Sequence, residues 1–315
     1  MKQTAAPHRP ASTADLRRRF GARGVFVFVM TPFHTWRDRR GRLAVDLAGL
    51  EGNLTHFSRV PGDRAMVVCG GSGEFHSLSA AEVLAVAEAA VAGAGGRCQV
   101  VVGVGGPDAT AVRMAEGAQA AGCDAVLVMP HPPVVQRGEA AVWARHRAIA
   151  GAIDIGMLPF RAPNQTLSPA LVQRLARLPQ VVAVKEESGA VDWVRTGALL
   201  TGGRVPMITG GSENMVPYYY LAGAVGFTSG MANLTLPQSI QLHDAALAGD
   251  WKAAMEWRDW FEPLSQMRSQ LGNPMLKGGL EMMGLAGGPI RATGAMLDAS
   301  GRRRVRRMLR AKGLL

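Results

Sequence analysis

Val181-Val182-Ala183-Val184-Lys185-Glu186-Glu187-Ser188-Gly189 reads as a buried strand that ends on a lysine and then turns polar. An uninterrupted apolar run suits a parallel strand covered on both faces, and the chain repeats that pattern. From Gly24 onward such runs alternate with longer segments of helical spacing, the mark of consecutive βα units. Strands are expected at Val25–Met30, Ala65–Cys69, Gln99–Val104, Ala125–Met129, Gly156–Pro159, Val181–Lys185, Met207–Thr209 and Gly226–Ser229. Helices are expected between them at Leu47–Phe57, Ala80–Ala92, Ala109–Ala121, Glu139–Ala152, Pro169–Leu178, Val191–Leu200 and Met215–Ala222. Eight strands separated in this way predict a (β/α)8 TIM barrel rather than an open doubly wound sheet.

The expected organisation is a basic, flexible arm over residues 1–23, the barrel over 24–234, and a C-terminal helical extension over 235–315. Within the extension the spacing predicts helices at Gln238–Ala248, Trp251–Ser269 and Leu276–Met283, then a basic one from Thr293 to Lys312 with a break at Ser300-Gly301.

A net charge of +11 first suggests a nucleic-acid binder. The charge, however, lies at the ends. Six Lys/Arg fall within residues 1–23 and seven within 302–312, which leaves 22 basic and 23 acidic residues in the body. A neutral body gives no broad basic face, so the tails read as solvated basic segments and no specific nucleic-acid partner is expected. The N-terminal stretch carries no apolar signal core and no run is long enough for a membrane span, so a cytoplasmic protein is expected. Cys69, Cys98 and Cys123 lie in or beside apolar runs without metal-ligand spacing, which points to reduced core thiols and no metal.

In a barrel of this kind the chemistry sits at the C-terminal strand ends. Lys185 is the leading candidate there. An amine that is protonated at neutral pH cannot attack a carbonyl, and burial in an apolar mouth lowers its pKa towards the reactive range. The alternative is a strand-end charge reaching out to solvent. The loop Gly70-Gly71-Ser72-Gly73-Glu74 offers backbone amides and the Ser72 hydroxyl to a carboxylate, with Gly71 and Gly73 allowing close approach. Its spacing does not match a nucleotide phosphate loop. Thr31 follows the first strand, Phe160 and Asn164 the fifth, and Ser212 and Glu213 the seventh, and all are candidate substrate contacts. Ser212 and Glu213 could equally be a helix cap with its first-turn carboxylate.

Taken in order, Thr31-Pro32-Phe33, Gly70-Gly71-Ser72-Gly73-Glu74-Phe75 with Leu78 and Glu82, Lys185-Glu186, and Gly223-Ala224-Val225-Gly226 with Asn233 and Pro237 resemble the dihydrodipicolinate synthase / N-acetylneuraminate lyase superfamily. The glycine loop is similar to that of 5-dehydro-4-deoxyglucarate dehydratases. The resemblance implies an imine between Lys185 and a 2-keto acid, no separate cofactor because the imine is the electron sink, and a homotetramer built from dimers. It also sets Phe160 where the family has a proton-shuttling tyrosine, and a phenyl ring cannot do that work. Gln165 stands at the position of an arginine of the synthases, and His131-Pro132 at that of a tyrosine pair. His131 is therefore a candidate substitute acid or base, or else a loop histidine at a subunit contact. Tyr218, Tyr219 and Tyr220 are expected to pack rather than to replace the missing phenol, and Asn233 to stabilise a turn beneath the site.

Three functions fit these residues. The first is a dehydratase or aldolase of a keto-deoxy sugar acid. The second is a pyruvate-dependent condensing aldolase whose pocket is remodelled around Phe160, and the third is a non-catalytic keto-acid-binding descendant.

Overall fold

Valine-rich runs, buried on both faces, pair in parallel and close on themselves. The computed structural model describes residues 24–163 and 167–315; the expected N-terminal arm, Asn164 and Gln165 lie outside them. The barrel strands are β1 (Gly24–Phe28), β4 (Arg64–Val68), β5 (Gln99–Val104), β6 (Ala125–Val128), β7 (Gly156–Arg161), β8 (Val184–Glu186), β9 (Met207–Thr209) and β10 (Gly226–Ser229), in that order around the wall. Closure comes from β1, which pairs with β4 from Val25↔Arg64 and with β10 from Gly24↔Gly226. A small antiparallel hairpin, β2 (Phe33–Arg37) and β3 (Leu43–Val45), follows β1. The apolar runs had not suggested it.

The helices are α1 (Leu47–Phe57), α2 (Ala80–Ala94), α3 (Asp108–Ala120), α4 (Pro132–Gln136), α5 (Glu139–Ala150), α6 (Pro169–Leu175), α7 (Val191–Thr201) and α8 (Val216–Leu221), followed by the extension α9 (Ala232–Ala248), α10 (Trp251–Leu271), α11 (Asn273–Met282) and α12 (Ala299–Ala311). Local chemistry sets their ends. The Ser79 hydroxyl accepts from the Glu82 amide while the Glu82 carboxylate accepts from the Ser79 amide at 2.8 Å, a capping box that starts α2. Gly95, at φ +54°, ends it.

Several boundaries differ from expectation: α9 starts at Ala232 rather than Gln238 and α11 at Asn273 rather than Leu276, and two others have a clear local cause. Val181 touches β7 only through an isolated bridge to Met157, so β8 starts at Val184 and runs on to Glu186. The basic helix begins at Ala299 rather than Thr293 and passes through Ser300-Gly301, because the Asp298 carboxylate accepts the Gly301 amide at 2.6 Å and makes that pair its first turn. Val305 and Leu309 are buried, while Arg303, Arg304, Arg306, Arg307 and Arg310 are exposed. The C-terminal charge is therefore a solvated face of a packed helix. Among the described residues no helix is long and apolar enough to cross a membrane.

The extension is tied to the barrel by polar contacts that lie inside the protein. Lys277 donates to Glu74 Oε1 at 2.5 Å and to the Pro289 carbonyl at 2.7 Å. Arg291 donates its amide to Glu74 Oε2 at 2.9 Å and its guanidinium to Glu82 at 2.6 Å. Asn233, buried at the start of α9, accepts the Met30 amide at 3.0 Å and donates to the Phe28 and Gly230 carbonyls at 2.9 and 2.8 Å, so one side chain stitches the ends of β1 and β10 together.

Asn233→Ala leaves buried backbone groups without partners, each costing about 1–3 kcal/mol, and is expected to lower the unfolding free energy by about 3 kcal/mol in urea titrations. Burial alone would raise the Glu82 carboxyl, but hydrogen bonds from Arg291 and Ser79 outweigh it and bring it down to about 2. Its stabilising contribution is thus present above the unfolded-state value and lost as pH falls through the folded one. Acid unfolding followed by far-UV circular dichroism should show that loss between about pH 4.5 and pH 2, and Arg291→Met should remove much of it.

Candidate active site

Strand pleating puts alternate residues on opposite faces, so Lys185 points into the barrel and Glu186 away from it. Lys185 is 2% exposed. Phe160 is its partner in the β7–β8 register, which lays the phenyl ring beside the amine. The Nζ atom stands 3.7 Å from the Phe160 ring centre and 4.4 Å from that of Phe28. It donates to Oε2 of Glu187, with which it forms an ion pair. Burial lowers the Lys185 pKa below the ordinary lysine range; the charge and hydrogen bond of Glu187, and the charge of Glu186, oppose that shift.

Glu186, buried on the outer face of β8, accepts from Arg161 Nη1 at 2.7 Å, from the Ser188 amide at 2.6 Å and from the Ser188 hydroxyl. The Tyr219 hydroxyl reaches it at 3.4 Å. Burial, with the nearby Glu186 charge, pushes the Tyr219 phenol up to about 12 and keeps it a donor. Tyr220 donates or accepts at 2.6 Å with His243 Nδ1, and Tyr218 is exposed. None of the three phenols stands on the lysine, in keeping with a packing role.

Beside this pair opens a cavity of about 420 Å³, lined by Phe28, Ser72, Glu187, Ser212, Glu213, Asn214, Ser229, Gly230, Glu262, Ser265 and Arg268 among others. Five strand ends, those of β1, β4, β8, β9 and β10, and helix α10 converge on it. The structure thus brings Ser72, Ser212 and Glu213 to one cavity, and sets Lys185 and Phe160 behind its Phe28 and Glu187 wall. Ser212 makes no capping bond, so the helix-cap reading fails for its side chain. Glu213 is buried and accepts the Ser229 hydroxyl; burial raises its carboxyl above the usual range, with Ser229 and the Arg268 charge opposing.

Thr31 and Gly73 act from beneath. The Thr31 hydroxyl donates to the Gly73 carbonyl at 2.7 Å. A Cβ on Gly73 would sit 3.0 Å from the Cys69 amide nitrogen, so the missing side chain lets the loop lie on the strand end. Gly71 is exposed and faces open space. His131 is not brought to this cavity. It lines a second one of about 240 Å³ with Phe75, His76 and Thr110, and burial, aided by the Arg145 charge, lowers its pKa. The reason is positional, since His131 follows β6, which is separated from β8 by β7 in the barrel wall.

Two residues with strong claims were missed in the sequence. Glu187 was legible, because it follows Lys185 by two and so shares its face. Arg268 was not, since nothing in its stretch of α10 marks it. Its Nη2 atom lies 3.5 Å from the Ser72 hydroxyl, and among the described residues it has no ion-pair partner. A Cβ on Gly230 would meet that nitrogen at 2.7 Å, so the glycine makes the guanidinium's approach possible. Among the described residues no group of three or more His, Cys, Asp or Glu could hold a metal.

The family model described as Dihydrodipicolinate synthetase family matches residues 21–312. A 4-hydroxy-tetrahydrodipicolinate synthase of Halorhodospira halophila is 32% identical over 298 residues, covering 93% of this chain and 98% of that protein. A protein of Allorhizobium ampelinum described as "Probable 5-dehydro-4-deoxyglucarate dehydratase" is 30% identical over 287 residues, covering 88% and 91%. Among solved structures, a putative dihydrodipicolinate synthetase from Pseudomonas aeruginosa superposes with a TM-score of 0.80 at 27% identity, over 92% of this chain and 99% of that one.

Proposed function

The chain belongs to the dihydrodipicolinate synthetase family, whose members are Schiff-base lyases, and from that premise we propose that it dehydrates or cleaves a 2-keto-3-deoxy sugar acid held as an imine on Lys185. The observation that carries this reading is the placement of the Lys185 amine, buried between two phenyl rings at a strand end and next to a polar cavity. Desolvation of that amine favours the neutral nucleophile. Once the imine forms it withdraws electrons from the substrate carbon chain, so loss of a β-hydroxyl or scission of a carbon–carbon bond needs no other electron sink.

The carboxylate of the keto acid is assigned to Ser72 and Arg268, a hydroxyl and a guanidinium that meet at one corner of the cavity. The remaining lining is rich in hydroxyl, amide and carboxyl groups: Ser212, Asn214, Ser229, Glu262 and Ser265. That lining suits a polyhydroxylated chain better than the apolar aldehyde of a condensing aldolase. The likeness to the Allorhizobium ampelinum relative supports the same choice. Asn164, outside the described residues, is kept as a further contact. Exposed Leu199, Tyr218 and Leu221 on α7 and α8 offer an apolar face to a second copy, in line with a cytoplasmic homotetramer, a dimer of dimers.

Borohydride added with pyruvate or with 2-keto-3-deoxygluconate is expected to fix an adduct on Lys185, read by intact mass and peptide mapping; absence of any adduct would overturn the reading. Lys185→Ala should abolish the adduct and lower kcat/KM more than about a thousandfold. Charged hydrogen bonds are worth about 1.5–3 kcal/mol, so Arg268→Met should raise KM about 10- to 100-fold and change kcat less.

A further inference from the structure

A reacting amine in this site needs a group to move its protons, and the rings that flank it have none to exchange. Phe28 and Phe160 cover Lys185 on two sides. Glu187 is the hydrogen-bond partner of Nζ among the described residues. At 37% exposed, Glu187 also lines the cavity, so one carboxylate reaches both the amine and whatever is bound beside it. Its backbone is set by a bond from its amide to the Arg161 carbonyl at 3.0 Å. Its side chain occupies a slot that exists because residue 210 is glycine, where a Cβ would stand 2.7 Å from Glu187 Cγ. The neighbouring acids and phenol are engaged elsewhere: Glu186 with Arg161 and Ser188, Glu213 with Ser229, and Tyr219 with Glu186.

We propose that Glu187 is the general acid–base catalyst of this site, the group that carries protons between Lys185 and the substrate. The inference rests on the imine reading above. In the first half of the cycle the Glu187 carboxylate takes a proton from the Lys185 ammonium, and the freed pair on nitrogen bonds to the C2 carbonyl carbon. Glu187 returns that proton to the former carbonyl oxygen. It then takes a second proton from nitrogen and delivers it to the same oxygen, which leaves as water while the C=N bond of the iminium forms. In the second half the carboxylate removes a C3 proton, and the electron pair flows towards nitrogen to give the enamine. Glu187 then protonates the C4 hydroxyl as its C–O bond breaks, and the enamine pair closes the C3=C4 bond and restores the iminium. Water then adds to C2 of the product iminium and, by the reverse of the first half, the C–N bond breaks to free the ketone and the Lys185 ammonium. Two waters leave and one is taken up, so the net change is loss of one water, and Glu187 ends as it began.

The test uses pyruvate, whose methyl protons exchange with deuterated solvent when an imine on the enzyme becomes an enamine, an event followed by proton NMR. Wild type, Glu187→Gln, Glu187→Asp and Gly210→Ala are compared for exchange, for borohydride adduct on Lys185 and for melting temperature. The expected result is that Glu187→Gln melts as wild type and still yields the adduct on long incubation but exchanges about 100- to 10,000-fold more slowly, the range for a lost acid–base group. Glu187→Asp should recover part of the rate, and Gly210→Ala, which crowds the carboxylate, should lose part of it. Exchange by Glu187→Gln within about threefold of wild type would overturn the inference and leave the imine reading standing. Loss of both adduct and thermal stability would overturn it in favour of a structural role. A wild-type protein that forms no adduct would remove the imine reading, and this inference with it.

Discussion

The buried ion pair between Glu74 and Lys277 is the contact on which the arrangement of the site depends. Both side chains are withdrawn from solvent, Lys277 packs its amine 4.4 Å from the Phe33 ring centre, and the Arg291 amide takes the second Glu74 oxygen. Glu74 closes the glycine loop and Lys277 stands in α11, so the pair locks the loop that bears Ser72 to the helical extension that bears Arg268. Removing either partner would leave an uncompensated charge inside the protein, a penalty of about 3–5 kcal/mol. The acid of the Gly-Gly-Ser-Gly-Glu loop is thus structural. What it holds in place is the meeting of a hydroxyl and a guanidinium at the cavity's edge.

Lys185 sits under opposed forces. Two phenyl rings and the barrel wall strip water from the amine and favour its neutral form, while Glu187 favours the ammonium. An amine with burial alone would be neutral but would have no means of shedding or regaining protons. A free carboxylate in contact with it supplies the means at some cost in nucleophilicity. Phe160, which lacks a hydroxyl, and Glu187, which has a carboxylate within reach of both amine and cavity, are therefore two parts of one arrangement. The slot left by Gly210 is the third.

Much of the barrel was legible because its signals are local. Val100, Val101 and Val102, or Val25, Phe26 and Val27, are apolar on successive positions, the pattern of a strand buried on both faces. Where burial and pairing part company the reading slipped. Val181, Val182 and Ala183 are all buried, yet they lie outside the strand that starts at Val184. Apolarity reports exclusion from water, not which backbone groups find partners. The hairpin of β2 and β3 was missed because half-buried His34 and exposed Thr35, Trp36 and Arg37 carry no core-facing alternation.

By itself the sequence determined the βα repeat, the place of Lys185 at a strand end, the glycine loop that follows β4 and the absence of a hydroxyl at residue 160. These follow from hydrophobic periodicity and from chemistry within a few neighbouring residues. Only the tertiary structure decided that Arg268 meets Ser72, that His131 faces a different cavity, that Glu74 is spent on Lys277, and that Glu187 rather than Glu186 touches the amine. Those outcomes depend on how the barrel closes and where the extension docks. Both are set by contacts between residues far apart in the chain, whose partners no local pattern names.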